Sequence, residues 1–140
     1  MKSRHVAIAA LLAAALAVPA QAEDIPATVV RVRDGDSITV RLHGDCLPQL
    51  FRVQGVRFNG CDTPEQGDKR AEIAALAREA KAFTAARLHP GDQVVLRDVK
   101  RDKYGGRVVA TVVVDGADLC RELVGAGLAR EYSGKGKKPW

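Results

Sequence analysis

The chain has 140 residues, and its 22 Lys and Arg against 17 Asp and Glu give a formal net charge of +5 at pH 7. This length suffices for one domain with one modest core, and the mild basic excess only weakly favours an anionic partner. Low aromatic content (three Phe, two Tyr and one Trp) disfavours a surface that binds oligosaccharide. No spacing of cysteine and histidine suggests a zinc site.

The N-terminal segment has the pattern of a secretory signal peptide. Two basic residues precede an uninterrupted apolar run from Val6 to Val18, and Ala20-Gln21-Ala22 then supplies a small-x-small cleavage pattern. An uncleaved membrane anchor is the alternative, but the run is shorter than the ~20 residues that cross a bilayer. We therefore expect residues 1–22 to be removed and residues 23–140 to form the folded domain, in the periplasm or outside the cell.

All three cysteines, Cys46, Cys61 and Cys120, lie in the part that we expect to be exported. An oxidising compartment allows one pair of them to form a disulfide and leaves an odd thiol. We favour Cys46 with Cys61, because both flank the same irregular stretch, and closing such a loop would contribute about 3 kcal/mol. Three small buried apolar side chains without a disulfide are the alternative.

The first half of residues 23–140 predicts strands. Thr28 to Arg33 and Ile38 to His43 alternate apolar and polar side chains, which is typical of half-buried strands. Asp34-Gly35-Asp36 between them is a hairpin signal. Phe51 to Cys61 continues as a strand, and its alternation breaks near Gln54-Gly55, which predicts a bulge or bend there.

The second half adds helices, because apolar residues then recur at helical spacing until His89-Pro90-Gly91 ends the pattern. We predict one long helix over about 70–88 and two strands over 93–99 and 107–114. A short helix over about 118–126 and a Gly/Lys-rich tail over 128–140 follow.

The order of these elements predicts a fold. Five short strands, with one long helix between the third and the fourth and a short C-terminal helix, are the arrangement of an OB-fold barrel in the α+β class. Closure of the barrel would protect the edges of so small a sheet. A generic α+β sandwich is the alternative.

Two acidic motifs could act together. Asp34-Gly35-Asp36 alone is typical of a turn, and Asp62-Thr63-Pro64-Glu65 alone is typical of a helix start. Because each lies at the end of a neighbouring strand, their carboxylates can converge on one oxygen-rich site of the kind that Ca²⁺ prefers. Together with the guanidinium of Arg57, they make a minimum set for metal-assisted cleavage of a phosphodiester.

Over nearly all of residues 23–140 the chain resembles the staphylococcal nuclease (thermonuclease) family. The matching landmarks occur in the family's order: Asp34-Gly35-Asp36-Ser37, Val56-Arg57, Asp62-Thr63-Pro64-Glu65, residues 79–84, Asp102-Lys103-Tyr104-Gly105, Arg107, and residues 123–129. Several separated motifs in the right order are a specific signal, whereas a single one would not be.

This resemblance implies the family's OB barrel and the Ca²⁺-dependent hydrolysis of DNA and RNA by a sugar-nonspecific nuclease. We expect a monomer without stable membrane association. The resemblance also implies roles for nine residues. The metal ligands would be Asp36, Asp62 and, through its backbone carbonyl, Thr63. The catalytic residues would be the phosphate-binding Arg57 and Arg107 and the general base Glu65. The substrate-binding residues would be Lys103, Tyr104 and Tyr132.

The chemistry of these side chains is consistent with such a reaction. A phosphodiester is anionic and repels hydroxide, so a bound cation and guanidinium groups must offset its charge as the transition state forms. Arginine can engage two phosphate oxygens at once, and an ionised Glu65 could take a proton from water. The alternative is an OB module that binds nucleic acid without catalysis, although three acids facing an anionic ligand would not help binding alone.

Overall fold

The computed structural model describes residues 23–44, Pro48 and residues 51–140, so the predicted signal peptide and Cys46 lie outside the described residues. Within these ranges, no helix is long and apolar enough to span a membrane. The strands and helices follow in the order β1 (Ile25–Asp34), β2 (Ser37–Leu42), β3 (Val53–Phe58), β4 (Gly60–Asp62), α1 (Ala71–Arg87), β5 (Gln93–Arg101), β6 (Arg107–Val114), β7 (Ala117–Asp118), α2 (Leu119–Gly125) and β8 (Arg130–Tyr132).

Five of the strands form a closed barrel. Neighbours pair antiparallel in the order β3-β2-β1-β5-β6, and β3 then pairs with β6 in parallel, which closes the sheet on itself. The long helix α1 lies between the third and fourth barrel strands in the sequence. The predicted five-stranded OB barrel is therefore confirmed, and the sandwich alternative is wrong.

Alternation along the strands builds the core of the barrel. Every barrel strand turns apolar side chains inward, where they are buried: Ala27 and Val29, Ile38 and Val40, Val56 and Phe58, Val94 and Leu96, and Ala110 and Val112. Burial of apolar surface contributes roughly 25 cal/mol per Å² and is the main stabilising term. Helix α1 buries Ala77, Ala80 and Thr84 and packs against β1 and α2.

Both predicted helices are present, each a little shorter than expected. After α1, Leu88 has extended backbone (φ −132°, ψ 116°), and Pro90 follows shortly. At the start of α2, the side chain of Asp118 accepts hydrogen bonds from the backbone N–H groups of Cys120 and Arg121. This N-cap satisfies donors that the first turn of a helix leaves unpaired.

The β1–β2 hairpin turn is held directly by α1. A methyl group at Gly35 would lie 2.7 Å from Cβ of Ala80 and 2.9 Å from Cγ2 of Thr63, so only glycine allows this close approach. The hydroxyl of Thr84 donates a 2.6 Å hydrogen bond to the carbonyl of Gly35. The turn that carries Asp36 is therefore fixed by packing and by a buried hydrogen bond.

Strand β3 is regular where the sequence predicts an irregularity. Strands β2 and β3 pair without a register shift, so of the bulge or bend predicted at Gln54-Gly55 the bulge is wrong. The register shifts instead within β1, between Val29 and Arg31. A methyl group at Gly55 would lie 3.2 Å from Cβ of Arg107, which faces it on β6. A glycine at position 55 makes room for Arg107, and this interrupts the alternation of apolar and polar side chains in the sequence of β3.

The strand predicted over residues 51–61 divides at Asn59, whose backbone N–H donates to the carbonyl of Ala110. Strand β4 then pairs antiparallel with β8, beside the barrel. Residues 128–140, which the composition predicts to be a tail, thus include a strand and are partly packed onto the protein.

A disulfide joins Cys61 of β4 to Cys120 of α2, with their Cα atoms 5.8 Å apart. The predicted pairing of Cys46 with Cys61 is therefore wrong. Cys61 pairs with Cys120 because β4 leaves the barrel and packs against α2, which buries the two cysteines together.

We expect Cys120→Ala to lower the free energy of unfolding by about 4 kcal/mol, because the disulfide closes a long loop in the unfolded chain. Urea unfolding without reductant measures this loss. The wild type with reductant should approach the stability of the variant, and a Cys46→Ala control should keep its sensitivity to reductant. The Cys61–Cys120 disulfide would be contradicted if reductant did not change the stability of the wild type, or if a peptide map linked Cys46 to Cys61.

Candidate active site

Asp36 lies at the tip of the β1–β2 hairpin and is only 7% exposed. Its Oδ2 accepts a 3.0 Å hydrogen bond from the backbone N–H of Thr63, and its own carbonyl accepts one from Phe58. Burial raises the pKa of Asp36 because desolvation disfavours the charged form, although the Thr63 hydrogen bond and the nearby Arg57 oppose this. A cation next to this carboxylate would stabilise its ionised form.

Asp62, the last residue of β4, shares one guanidinium group with Asp36. Nη2 of Arg57 donates to Oδ1 of Asp62 and lies 3.8 Å from Oδ2 of Asp36. The side chain of Asp62 is 3% exposed. The two acidic motifs of the sequence therefore converge in space as predicted, although Asp62 ends β4, which pairs with β8 and not with a strand of the β1–β2 hairpin.

A pocket of about 230 Å³ opens at this point of the surface. It is lined by six of the nine residues to which the sequence analysis gives roles: Asp36, Arg57, Asp62, Thr63, Glu65 and Arg107. Nε of Arg107 donates to Oδ2 of Asp102, whose side chain is buried. Asp102 therefore orients Arg107, a function that the sequence analysis did not assign to it.

The other three residues line a larger groove of about 650 Å³ that shares Arg57, Arg107 and Lys138 with this pocket. Nζ of Lys103 donates to the carbonyl of Gly134 and lies 5.1 Å from the ring centre of Tyr104. Tyr104 is 77% exposed. Tyr132 is placed by the pairing of β8 with β4 and donates its hydroxyl to the carbonyl of Gly136.

A strap formed by residues 133–140 reaches the pocket, and the sequence did not lead us to expect it. Nζ of Lys138 donates a 2.7 Å hydrogen bond to Oε1 of Glu65. The indole N–H of Trp140 donates to the backbone carbonyl of Asp62 at 2.8 Å, and the guanidinium of Arg130 lies 4.0 Å from the centre of the Trp140 ring. The lone tryptophan after a Gly/Lys-rich stretch was the available signal, since tryptophan usually packs on the protein.

Lys138 acts on the charge of Glu65. Its hydrogen bond and its positive charge lower the pKa of Glu65, although the carboxylate is 71% exposed to solvent. The same contact raises the pKa of Lys138. At neutral pH both side chains are therefore charged, and Glu65 is available to accept a proton.

The donor set at the pocket suits a hard divalent cation. Asp36 and Asp62 provide two carboxylates that contact the same cationic group, and Thr63 follows Asp62 directly. In the described ranges, no group of three or more His, Cys, Asp and Glu side chains is arranged to hold a metal. Backbone carbonyls and water would supply the other ligands, and Ca²⁺ accepts both. The Ca²⁺ site remains a prediction.

Fold and site together define an OB-fold protein with paired acids and two arginines in a surface pocket beside a basic groove. Comparison with known families identifies the chain further. A family model described as "Staphylococcal nuclease homologue" matches residues 55–139. The chain belongs to this family, so the resemblance inferred from its motifs is confirmed.

The chain is also similar to a curated protein of Bacillus subtilis (strain 168), the SPbeta prophage-derived endonuclease YokF. The two are 32% identical over 110 residues, which cover 77% of this chain and 34% of the relative. The chain thus matches about a third of the length of that protein.

We expect Lys138→Met to raise the pKa of Glu65 above its wild-type value, because the hydrogen bond and the charge that lower it are removed. NMR titration of the Glu65 side-chain carboxyl, with a chelator present, measures the change. Lys137→Met removes the same charge from the neighbouring residue and should leave the titration of Glu65 as it is. Equal midpoints in the wild type and Lys138→Met would show that this ion pair does not form in solution.

Proposed function

We propose that the protein is a Ca²⁺-dependent nuclease that hydrolyses phosphodiester bonds in DNA and RNA. One observation carries the proposal: a single pocket brings together Asp36, Asp62 and Glu65 with the guanidinium groups of Arg57 and Arg107. Membership of the staphylococcal nuclease homologue family and similarity to a protein named as an endonuclease support it.

The two arginines would bind the reacting phosphate. A planar guanidinium can donate to two phosphate oxygens, and this contact strengthens as charge builds up in the transition state. Arg57 and Arg107 are paired with Asp62 and Asp102 respectively, so the carboxylates hold them in position before the substrate arrives. When bound, Ca²⁺ would offset further negative charge, with Asp36, Asp62 and Thr63 as its ligands.

Glu65 would act as the general base. Its exposed carboxylate can reach water at the mouth of the pocket, and its lowered pKa keeps it ionised at neutral pH. A proton taken from water by Glu65 leaves a hydroxide-like nucleophile that attacks phosphorus. The P–O ester bond to the departing sugar oxygen then breaks, and this oxygen leaves as a hydroxyl group after it takes a proton from solvent.

The groove next to the pocket would hold the rest of the nucleotide. Lys103 and the exposed Tyr104 would contact a phosphate, and the ring of Tyr132 would lie near a base, where stacking is worth about 1–3 kcal/mol. Tyr132 lines the same groove, and its hydroxyl donates to the carbonyl of Gly136. Contacts to phosphate and to the faces of bases carry little sequence information. This supports a nuclease that does not select a base sequence.

We also propose that the protein is exported and that residues 1–22 are its signal peptide. The Cys61–Cys120 disulfide supports export, because such bonds persist in oxidising compartments such as the periplasm. The N-terminal residue of the protein recovered outside the cytoplasm tests this: we expect Glu23, and a protein that still begins at Met1 would contradict cleavage.

Digestion of single-stranded DNA by the purified protein tests the nuclease directly, with Ca²⁺ or with a chelator. We expect cleavage that requires Ca²⁺. Glu65→Gln should reduce the rate about 10²–10⁴-fold while retaining DNA binding by fluorescence anisotropy, because the fold and the arginines are unchanged. Glu72→Gln, which makes the same charge change on α1, should cleave like the wild type.

Two results would contradict these roles. Wild-type rates in Glu65→Gln would exclude this residue as the base. If the folded wild type binds DNA but does not cleave it, whichever divalent metal is added, the protein is instead a nucleic-acid-binding OB module.

A further inference from the structure

A second basic surface adjoins the small pocket. It is a concave region of about 400 Å³, here called the β1–α1 surface, and is lined by Arg31, Val32, Arg33, Asp34, Gln66 and Lys81. It shares Asp34 and Gln66 with the small pocket, whereas the large groove shares Arg57, Arg107 and Lys138 with that pocket. The groove and the β1–α1 surface have no lining residue in common. The small pocket therefore lies between them.

The positive charges of the β1–α1 surface are not neutralised by neighbours. Within the described residues, no carboxylate forms an ion pair with Arg31, Arg33 or Lys81, whereas other surface arginines do have such partners: Arg70 with Asp68, Arg87 with Glu122, and Arg97 with Asp24. The carboxylate of this surface, Asp34, accepts hydrogen bonds from Ser37 and Gln66 instead. Three cations are thus available to an anionic ligand.

Arg33 connects this surface to the arginines of the pocket. A methyl group at Gly55 would lie 3.7 Å from Nη1 of Arg33 and 3.2 Å from Cβ of Arg107. The guanidinium of Arg33 therefore lies over Gly55 of β3, next to Arg107. Arg57 is two residues further along β3 and so projects from the same face of the strand. The absence of a side chain at Gly55 leaves the space that Arg33 occupies.

This arrangement suits a ligand whose negative charges repeat along its length. A single nucleic-acid strand carries one phosphate per nucleotide, and a positively charged groove can follow its backbone over about 4–16 nucleotides per OB fold. A strand whose phosphate lies between Arg57 and Arg107 would have its other phosphates on both sides of the pocket. The large groove would receive them on one side and the β1–α1 surface on the other.

We propose that the β1–α1 surface binds the continuation of the nucleic-acid strand beyond the scissile bond, through Arg31, Arg33 and Lys81. The strand then crosses the pocket instead of ending in it, and bonds inside a strand can be cleaved. This inference rests on the proposed nuclease function for the cleavage of the strand, but the binding of the strand can be measured separately.

The first test compares binding of a dinucleotide and of an oligodeoxythymidylate of ~12 nucleotides by anisotropy, with a chelator present. The triple variant Arg31→Gln/Arg33→Gln/Lys81→Gln removes the three cations. The matched triple Arg41→Gln/Arg97→Gln/Arg121→Gln makes the same charge change elsewhere, since Arg97 and Arg121 line a different pocket.

We expect the first variant to lose affinity for the long oligomer about tenfold or more, with a salt dependence (log K against log salt) that is shallower by about 2. The matched variant should keep the wild-type affinity and slope. If the first triple variant is not folded by circular dichroism, Arg31→Gln alone should show a smaller loss of the same kind. Wild-type affinity and slope in the folded variant would mean that this surface does not bind the strand, and the proposal would be wrong.

The second test uses circular single-stranded DNA, which has no ends and must cross the pocket to be cleaved. We expect the wild type with Ca²⁺ to open circles and to degrade linear strands. Degradation of linear strands with intact circles would overturn the proposal while leaving the nuclease function standing. Cleavage of neither substrate would overturn the nuclease function, and the binding comparison would then still decide whether the β1–α1 surface holds a strand.

Discussion

The parallel pairing of β3 with β6 closes the barrel, and the geometry of the pocket follows from it. In this register Gly55 faces Arg107, and Arg57 is two residues further along β3. Both arginines therefore project from the outer surface of this pair of strands. Val56 and Phe58, which flank Arg57 in β3, enter the core. A residue from the first half of the chain and one from the second half thus line the same pocket from two paired strands.

Ion pairs give the pocket its second constraint. The carboxylates of Asp62 and Asp102 are buried, and each contacts an arginine that would bind the substrate. Loss of one member of a buried pair leaves the other charge uncompensated, which typically costs about 3–5 kcal/mol. The arginines are therefore preorganised by groups with which a phosphate must compete. A cation beside Asp36 and Asp62 would offset charge that Arg57 no longer neutralises once it has turned to the phosphate.

The sequence predicts the barrel because its strands are half buried, and half burial imposes alternation that can be read directly, as in Ile38 to Leu42. The Asp-Gly turn and the spacing of the long helix are equally local signals. Disulfide pairing is different, since any two of three cysteines are compatible with the sequence, and only the path of β4 against α2 brings Cys61 to Cys120. The contacts of Lys138 and Trp140 were missed because they depend on tertiary structure and follow no periodicity.

The strap also makes the pocket depend on contacts between distant parts of the sequence. Trp140 and Asp62 are separated by 78 positions, and Lys138 and Glu65 by 73. Such contacts form only after the chain between them has been ordered, because the entropy of closing a long loop opposes them. The barrel and the segments next to it bring the carboxylates and arginines of the pocket together, whereas Lys138 and the indole of Trp140 must dock onto groups that are already in place. A chain whose barrel has formed but whose residues 133–140 have not yet docked therefore has an unfinished pocket.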